Sequence, residues 1–262
     1  MGSYALAATN VDFMIHGLFQ YEVFGQKLWI TTTHVSILIV MLILIIFGIV
    51  VKVKVSKVKP EDNPTGLVSA CEILVEKLDD MVISSMGEKH YRKFVNYIGT
   101  IFAFILLSNI SGLLGLRPPT ADYGVTFPLA IITFCLIHFN QFKYQKVKGV
   151  IAGLCDPWPI WAPINIISDF AVPVSLSLRL FANVLSGTAI MALIYALLSK
   201  FAIIWPAALH FYFDLFSGAI QTYVFCMLTV TYIGSAIGDA EESVFKTIFR
   251  KMFHKQETAQ TN

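Results

Sequence analysis

The chain has 262 residues, of which 56% are hydrophobic and 14% charged. Soluble domains carry about 25% charged residues. Long apolar runs account for the difference, so the composition excludes an ordinary soluble enzyme and points to a polytopic membrane protein. The net charge of +2 implies no nucleic-acid partner. Four scattered cysteines (Cys71, Cys135, Cys155, Cys226) contain no CxxC and imply neither a disulfide framework nor a metal site.

Residues 1–34 are mixed and carry one lysine, Lys27; they read as an outer N-terminal segment without the basic-then-apolar pattern of a cleaved signal peptide. The first span is "VSILIVMLILIIFGIVV", 35–51, which reaches about 25 Å as helix. "KVKVSKVK" follows, and the positive-inside rule puts that end in the cytoplasm. "PEDNPTG" is a turn. Residues 67–88 place Leu67, Ala70, Leu74, Leu78 and Met81 at helical spacing, which predicts an amphipathic helix on the cytoplasmic surface. Residues 94–142 read as a helical hairpin: a span at 94–116 interrupted by Asn109, Ser111 and Gly112, a short outer loop, and a span at 125–142 containing His138 near its inner end. "KYQKVKG" returns the chain to the cytoplasmic side.

The pattern then changes. Residues 164–239 hold two apolar runs, each too long for one perpendicular crossing of a layer about 30 Å thick. Each is either a hairpin or a long inclined helix, and the lack of a turn signal after Pro173 favours the helix. Residues 240–262 form a basic cytoplasmic tail. The predicted fold is therefore all-α: about three transmembrane helices, one amphipathic surface helix and two long, strongly tilted membrane helices in a single membrane domain.

Within "PVSLSLRLFANVLSG", 173–187, Arg179 is the sole ionised side chain between Asp169 and Lys200. An arginine at mid-membrane costs about 2.5–3.5 kcal/mol on insertion scales, and it cannot deprotonate to escape. It must face protein or water. Asn165, Ser168, Ser175, Ala182, Asn183 and Ser186 share its helical face, which is small and polar. The second run carries a matching stripe, His210, Asp214, Ser217, Gly218 and Gln221. A titratable pair and a glutamine on one face suit a hydrated path, or a hydrogen-bond network between the helices. Asp214 or Asp169 could neutralise Arg179; equally, the arginine suits a mobile carboxylate from another chain. No nucleotide-binding, metalloprotease or nucleophile-elbow motif is present.

"SLSLRLFANVLSG", followed by "GAIQTYVFCMLTVTYIG", resembles the a subunit of bacterial F-type ATP synthases, and so does the rest of the chain, including the "PPTADYGVT" loop. The resemblance implies a stator subunit that packs against a ring of c subunits and meets the b subunits of a peripheral stalk. It implies two offset half-channels carrying H+ or Na+, in a bacterial plasma membrane with the N-terminus outside and the C-terminus cytoplasmic. The family's essential arginine falls on Arg179, its asparagine on Asn183 and its glutamine on Gln221. Arg179 would face the ring carboxylate as the ion gate. No cofactor and no metal are implied, and ATP chemistry would lie elsewhere in the complex.

The family pattern is not kept everywhere. A frequent glutamate fourteen residues before the arginine is Asn165 here, and Asp169, one turn later, could replace it. Nine residues after the arginine stands Thr188, where many members have an acid or histidine; seven before the glutamine stands Asp214. A common acid of the second span is replaced by Gly112, although Asn109 remains. The expected ion path thus comprises Arg179, Asn183, Asp214, Gln221, Asp169, Asn165, His210, Thr188, Ser217 and Asn109, with Asp214 the main carboxylate on the outer side. The competing readings are a self-contained secondary transporter or ion channel, which would show repeated halves, and a structural anchor, for which a buried arginine has no use.

Overall fold

The computed structural model describes residues 17–23, 26–57, 66–114, 116–154, 159–197 and 205–237. The expectations for 1–16, for the turn at 60–66 up to residue 65 and for the tail at 240–262 lie outside these residues. Among the described residues the architecture is helical, with five helices long and apolar enough to cross a membrane. A two-stranded antiparallel hairpin precedes them: β1, Gly17–Val23, and β2, Gln26–Thr31, with Val23 opposite Gln26. The sequence reading did not foresee it.

Helix α1 runs Thr32–Val55. At its start Thr31 Oγ1 and His34 Nδ1 lie 2.7 Å apart, joining the side chain before the first turn to one inside it. Lys52 and Lys54 occupy its last turn, where they complement the negative end of the helix dipole. Its outward residues, among them Leu38, Ile45 and Ile49, are more than half exposed, as a face for lipid should be.

Helix α2 is Leu67–Met86, bounded by Gly66 and by Gly87, which has φ 72°. Its expected apolar stripe is covered by protein only in its second half. Leu78, Met81, Val82 and Met86 are buried, whereas Ala70 and Leu74 are exposed. The second half of α2 therefore packs into the protein core rather than lying only on a surface. Close approach makes this possible: a Cβ at Gly234 would sit 2.5 Å from the Ser85 carbonyl oxygen.

Helix α3, Tyr91–Ile110, buries Ile98, Ile101 and Ile105 on one stripe. Short 3-10 turns at Ser111–Leu114 and Pro119–Ala121 lead to α4, Tyr123–Leu154. Asp122 caps α4 by accepting a hydrogen bond from the Gly124 N–H at 2.9 Å. Helix α5 is Ala162–Leu197, 36 residues with Pro173 inside it. The run is one helix, not a hairpin. At 1.5 Å per residue it measures about 54 Å, so within a layer of about 30 Å it must incline or leave its ends outside. Helix α6 starts at Trp205–His210, widens into a π-helical turn at Phe211–Ser217 and continues as α-helix over 218–237.

The core gathers side chains from α2 to α6, with Ile98, Ile105, Leu180, Phe225 and Ile233 essentially inaccessible. Small hydroxyl residues fill the seams. Tyr97 Oη and Thr133 Oγ1 lie 3.1 Å apart between α3 and α4, and Ser177 donates to Tyr123 Oη at 3.4 Å between α5 and α4. Lipid tails are as apolar as leucine, so close packing and interhelical hydrogen bonds must hold such helices together.

Candidate functional site

Arg179 lies on the outer face of α5 and is exposed, while its neighbours Ser177 and Leu180 are buried. It forms no hydrogen bond or ion pair with any described residue. Neither Asp169 nor Asp214 neutralises it. Ser168, Ser175, Ala182 and Ser186 are exposed on the same face, with Asn165 and Asn183 partly so. The helix thus presents outward a strip of small side chains with one guanidinium in the middle.

Behind that strip, polar groups of α5 and α6 meet. Ser217 donates to Asn183 Oδ1 at 3.1 Å, and the Ser186 hydroxyl donates to the Asn183 carbonyl at 3.0 Å. Thr188 turns back on its own helix, donating to the Leu185 carbonyl at 2.9 Å. Gln221 is 9% exposed, and its Nε2 has no partner among the described residues. A buried amide donor left unsatisfied costs about 1–3 kcal/mol, which marks this spot as one where an acceptor such as water would be welcome.

A second cluster surrounds the π turn. His210 Nδ1 and Asp214 Oδ2 are 2.7 Å apart, with Asp214 the better shielded of the two. Asp214 packs on Gly112: a Cβ there would lie 3.3 Å from the carboxyl carbon. The residue that interrupts the expected acid position on the second span is therefore the floor under the carboxylate of α6. Beside it, Asn109 donates to the Gly218 carbonyl at 3.0 Å and to Thr222 Oγ1 at 3.3 Å, and accepts from Thr120 Oγ1 at 2.7 Å. Asn109 has both ends of its amide engaged and is 3% exposed. It locks α3, the Pro119–Ala121 turn and α6 together. Gly218 is required there, since a Cβ would lie 2.9 Å from that of Asn109. π turns widen a helix and recur at functional sites; this one holds Asp214 next to the lock.

The remaining residues sit toward the other end of α5. Asn165 donates to the Leu154 carbonyl at 2.9 Å, closing the connection between α4 and α5. Asp169 faces His138 of α4 across a small cavity. The structure so joins Asn183 with Ser217 and His210 with Asp214, and sets Asp169 and Asn165 apart from them. The sequence reading missed Thr120, Thr222, Gln141 and Tyr232. The spacing of Gly218 and Thr222, one turn apart on the polar stripe of α6, was the available signal for one of them. Among the described residues no cluster suits a metal ion.

An all-α membrane bundle with an arginine exposed midway along α5 and a polar seam behind it defines a class: a multi-pass membrane protein. The family model described as "ATP synthase A chain" matches residues 34–234. "ATP synthase subunit a, sodium ion specific" of Propionigenium modestum is 39% identical over 180 residues, 63% of this chain and 61% of that one. "ATP synthase subunit a" of Mycoplasmoides gallisepticum is 33% identical over 242 residues, 82% and 81% of the two chains. "ATP synthase subunit a 2" of Chlorobaculum tepidum is 31% identical over 234 residues, 84% of this chain and 66% of that one. The matched part is thus less than two thirds of the Propionigenium relative's length. The chain belongs to the ATP synthase A chain family: it is a multi-pass membrane component of an F-type ATP synthase.

Proposed function

We propose that the chain is the ion-translocating, non-catalytic stator subunit of the membrane motor, with Arg179 as the gate between two half-channels. The observation that carries the reading is the arginine itself, exposed on a small-residue face and unpaired among the described residues. The small face suits close approach of a ring of c-subunit helices, and the b subunits of a peripheral stalk would hold the chain against their rotation. At an effective dielectric of about 20, a carboxylate 4 Å from the guanidinium gains about 4 kcal/mol, equivalent to about three pKa units. An acid arriving at Arg179 ionises and releases its ion. An acid leaving into lipid must first bind one. A permanent charge at that point also repels any cation trying to pass directly.

Asp214 and His210 supply the outer path, with Asn109 holding their platform. Gln221 and Asn183 line the approach to the gate, and Thr188 and Ser217 flank it. Asn165 and Asp169 lie on the inner side. The basic residues in the C-terminal parts of α1 and α4 support a reading with those ends in the cytoplasm of a bacterial plasma membrane and the N-terminus outside. The ion is H+ or Na+; the relative whose name specifies sodium keeps both in view.

In the assembled complex, Arg179→Ala abolishes ATP-driven ion pumping in vesicles and leaves ATP hydrolysis by the detached head intact. Arg179→Lys fails as well, because lysine can neutralise when desolvated and lacks the planar fork. Normal pumping by either variant refutes the gate. Asp214→Asn slows pumping at least about tenfold and more than Asp169→Asn does; the reverse order assigns the main carboxylate wrongly.

A further inference from the structure

Helix α5 carries Arg179 with little protein around it: only 22% of its most apolar window is buried. A helix so lightly held can turn about its own axis. One residue step is about 100°, so a turn of that size would present Leu178 or Leu180 outward in place of the arginine. The arginine therefore needs a hold on the side of α5 that faces away from it.

That side is gripped by an aromatic residue of α4. Two residues along a helix turn the side chain by about 200°, so Ser177 and Phe181, two before and two after Arg179, both lie on the opposite side. Tyr123, the first residue of α4, touches both. Its Oη lies 3.4 Å from Ser177 Oγ, and Ser177 is fully buried. Its ring meets Phe181 edge-on, with centroids 5.7 Å apart and planes at 72°, an arrangement that aromatic quadrupoles favour. Phe127, one turn along α4, stacks on the same ring at 5.3 Å and keeps it in place. The hydroxyl contact is at the long limit for a hydrogen bond, so the ring carries most of the grip.

Tyr123 is itself anchored. Asp122 caps the helix that Tyr123 opens, and Thr120, in the turn before it, donates to Asn109 Oδ1 at 2.7 Å. Asn109 in turn donates to the Gly218 carbonyl of α6. A continuous set of contacts thus runs from α6, near Asp214, through this corner to the back of Arg179.

We propose that Tyr123 is a positioning residue: it fixes the rotation of α5 so that Arg179 faces outward, and it keys that rotation to the part of α6 that carries Asp214. The proposal rests on the ion-translocating reading of Arg179 and adds to it the residue that aims the guanidinium. Tyr123 acts through α5, from the side away from the arginine.

The test uses the intact complex, with the native cysteines of this chain replaced by alanine and a reporter pair introduced, Gly187→Cys with Phe213→Cys. A Cβ at Gly187 would lie 3.6 Å from that of Phe213, within the range of about 3.5–4.5 Å that a disulfide spans. Oxidation therefore joins α5 to α6 readily only while α5 keeps its rotation, and this readout needs no rotor. Tyr123→Ala is expected to slow disulfide formation at least about threefold, for which the loss of one aromatic pair suffices. In vesicles without the reporter pair it is expected to lower ATP-driven pumping per assembled complex several-fold. Tyr123→Phe keeps the ring and is expected to match the parent in both measurements. A residue that only stabilised the fold would change the amount of complex recovered, not the pumping of each complex. If Tyr123→Ala does not co-purify with the complex, Tyr123→Leu, which keeps bulk without a ring, is read in its place. An unchanged disulfide rate, a slowed disulfide with unchanged pumping, or Tyr123→Phe as slow as Tyr123→Ala overturns the proposal. An unchanged disulfide rate beside a dead Arg179→Ala leaves the stator reading standing; normal pumping by Arg179→Ala fells the stator reading whatever the disulfide shows.

Discussion

Helix α1 and helix α6 are both long and apolar enough to span a membrane, yet only 11% of the most apolar window of α1 is buried within the protein, against 50% for α6. α1 can afford a uniform surface. Lipid accepts leucine, isoleucine and valine in any order, and nothing on α1 beyond its first turns has to find a partner. α6 carries Asp214, Ser217, Gln221, Thr222 and Thr229, and each polar group must be met by a neighbour or by water. Burial follows from that need. A helix that anchors is greasy all round; a helix that works in the membrane is covered by protein on the faces where it is polar. α5 is intermediate: its polar strip is turned outward, where water or another chain must meet it.

The contrast can be broken first with charge. Ile45→Arg in α1 places an unpartnered cation on a lipid face. It should cost about 2.5–3.5 kcal/mol, or roughly a hundredfold in the inserted fraction, read by protease protection or yield in the membrane fraction. Arg179→Ala should leave insertion and yield unchanged while removing pumping. If Ile45→Arg inserts as well as the parent chain, the lipid-facing assignment of α1 is wrong. A smaller effect separates two glycines. Gly234→Ala meets the Ser85 carbonyl at 2.5 Å and forces backbone apart, at a cost of about 1–3 kcal/mol. Gly48→Ala meets nothing within 4 Å and should be neutral or stabilising by up to about 1 kcal/mol. Thermal unfolding of the purified complex distinguishes the two; equal shifts would mean that α2 and α6 do not approach as described.

The membrane class and the arginine could be read without coordinates because they depend on composition and on one residue. Arg179 stands out against its own run, so its isolation is visible in one dimension. The sequence left open which part of the α2 stripe meets protein, for a physical reason. Apolar residues 73–75, 78 and 81–83 nearly encircle the helix, so period alone permits more than one inward face. The close contact at Gly234 selects the face containing Val82 and Met86. The hairpin before α1 was passed over although Phe19, Tyr21 and Val23 alternate with Gln20 and Glu22 ahead of a glycine, a strand signal that the adjoining span overshadowed. The Asn109 lock and the Asp169–His138 cavity could not be read at all, because they depend on which helices touch. Residues 109 and 218 are remote in the chain and meet only after α3 and α6 pack.

The central claim is that the face of α5 around Arg179 is covered by a rotor chain carrying a mid-membrane acid. Disulfide cross-linking tests it most directly, with Ser175→Cys or Ala182→Cys paired against cysteines introduced beside the acid of the complex's small proteolipid subunit, and Leu38→Cys of α1 as the reference. The expected result is rapid cross-linking from positions 175 and 182 and none from 38. No cross-link from the Arg179 face, or equal yields from all three positions, would contradict the account.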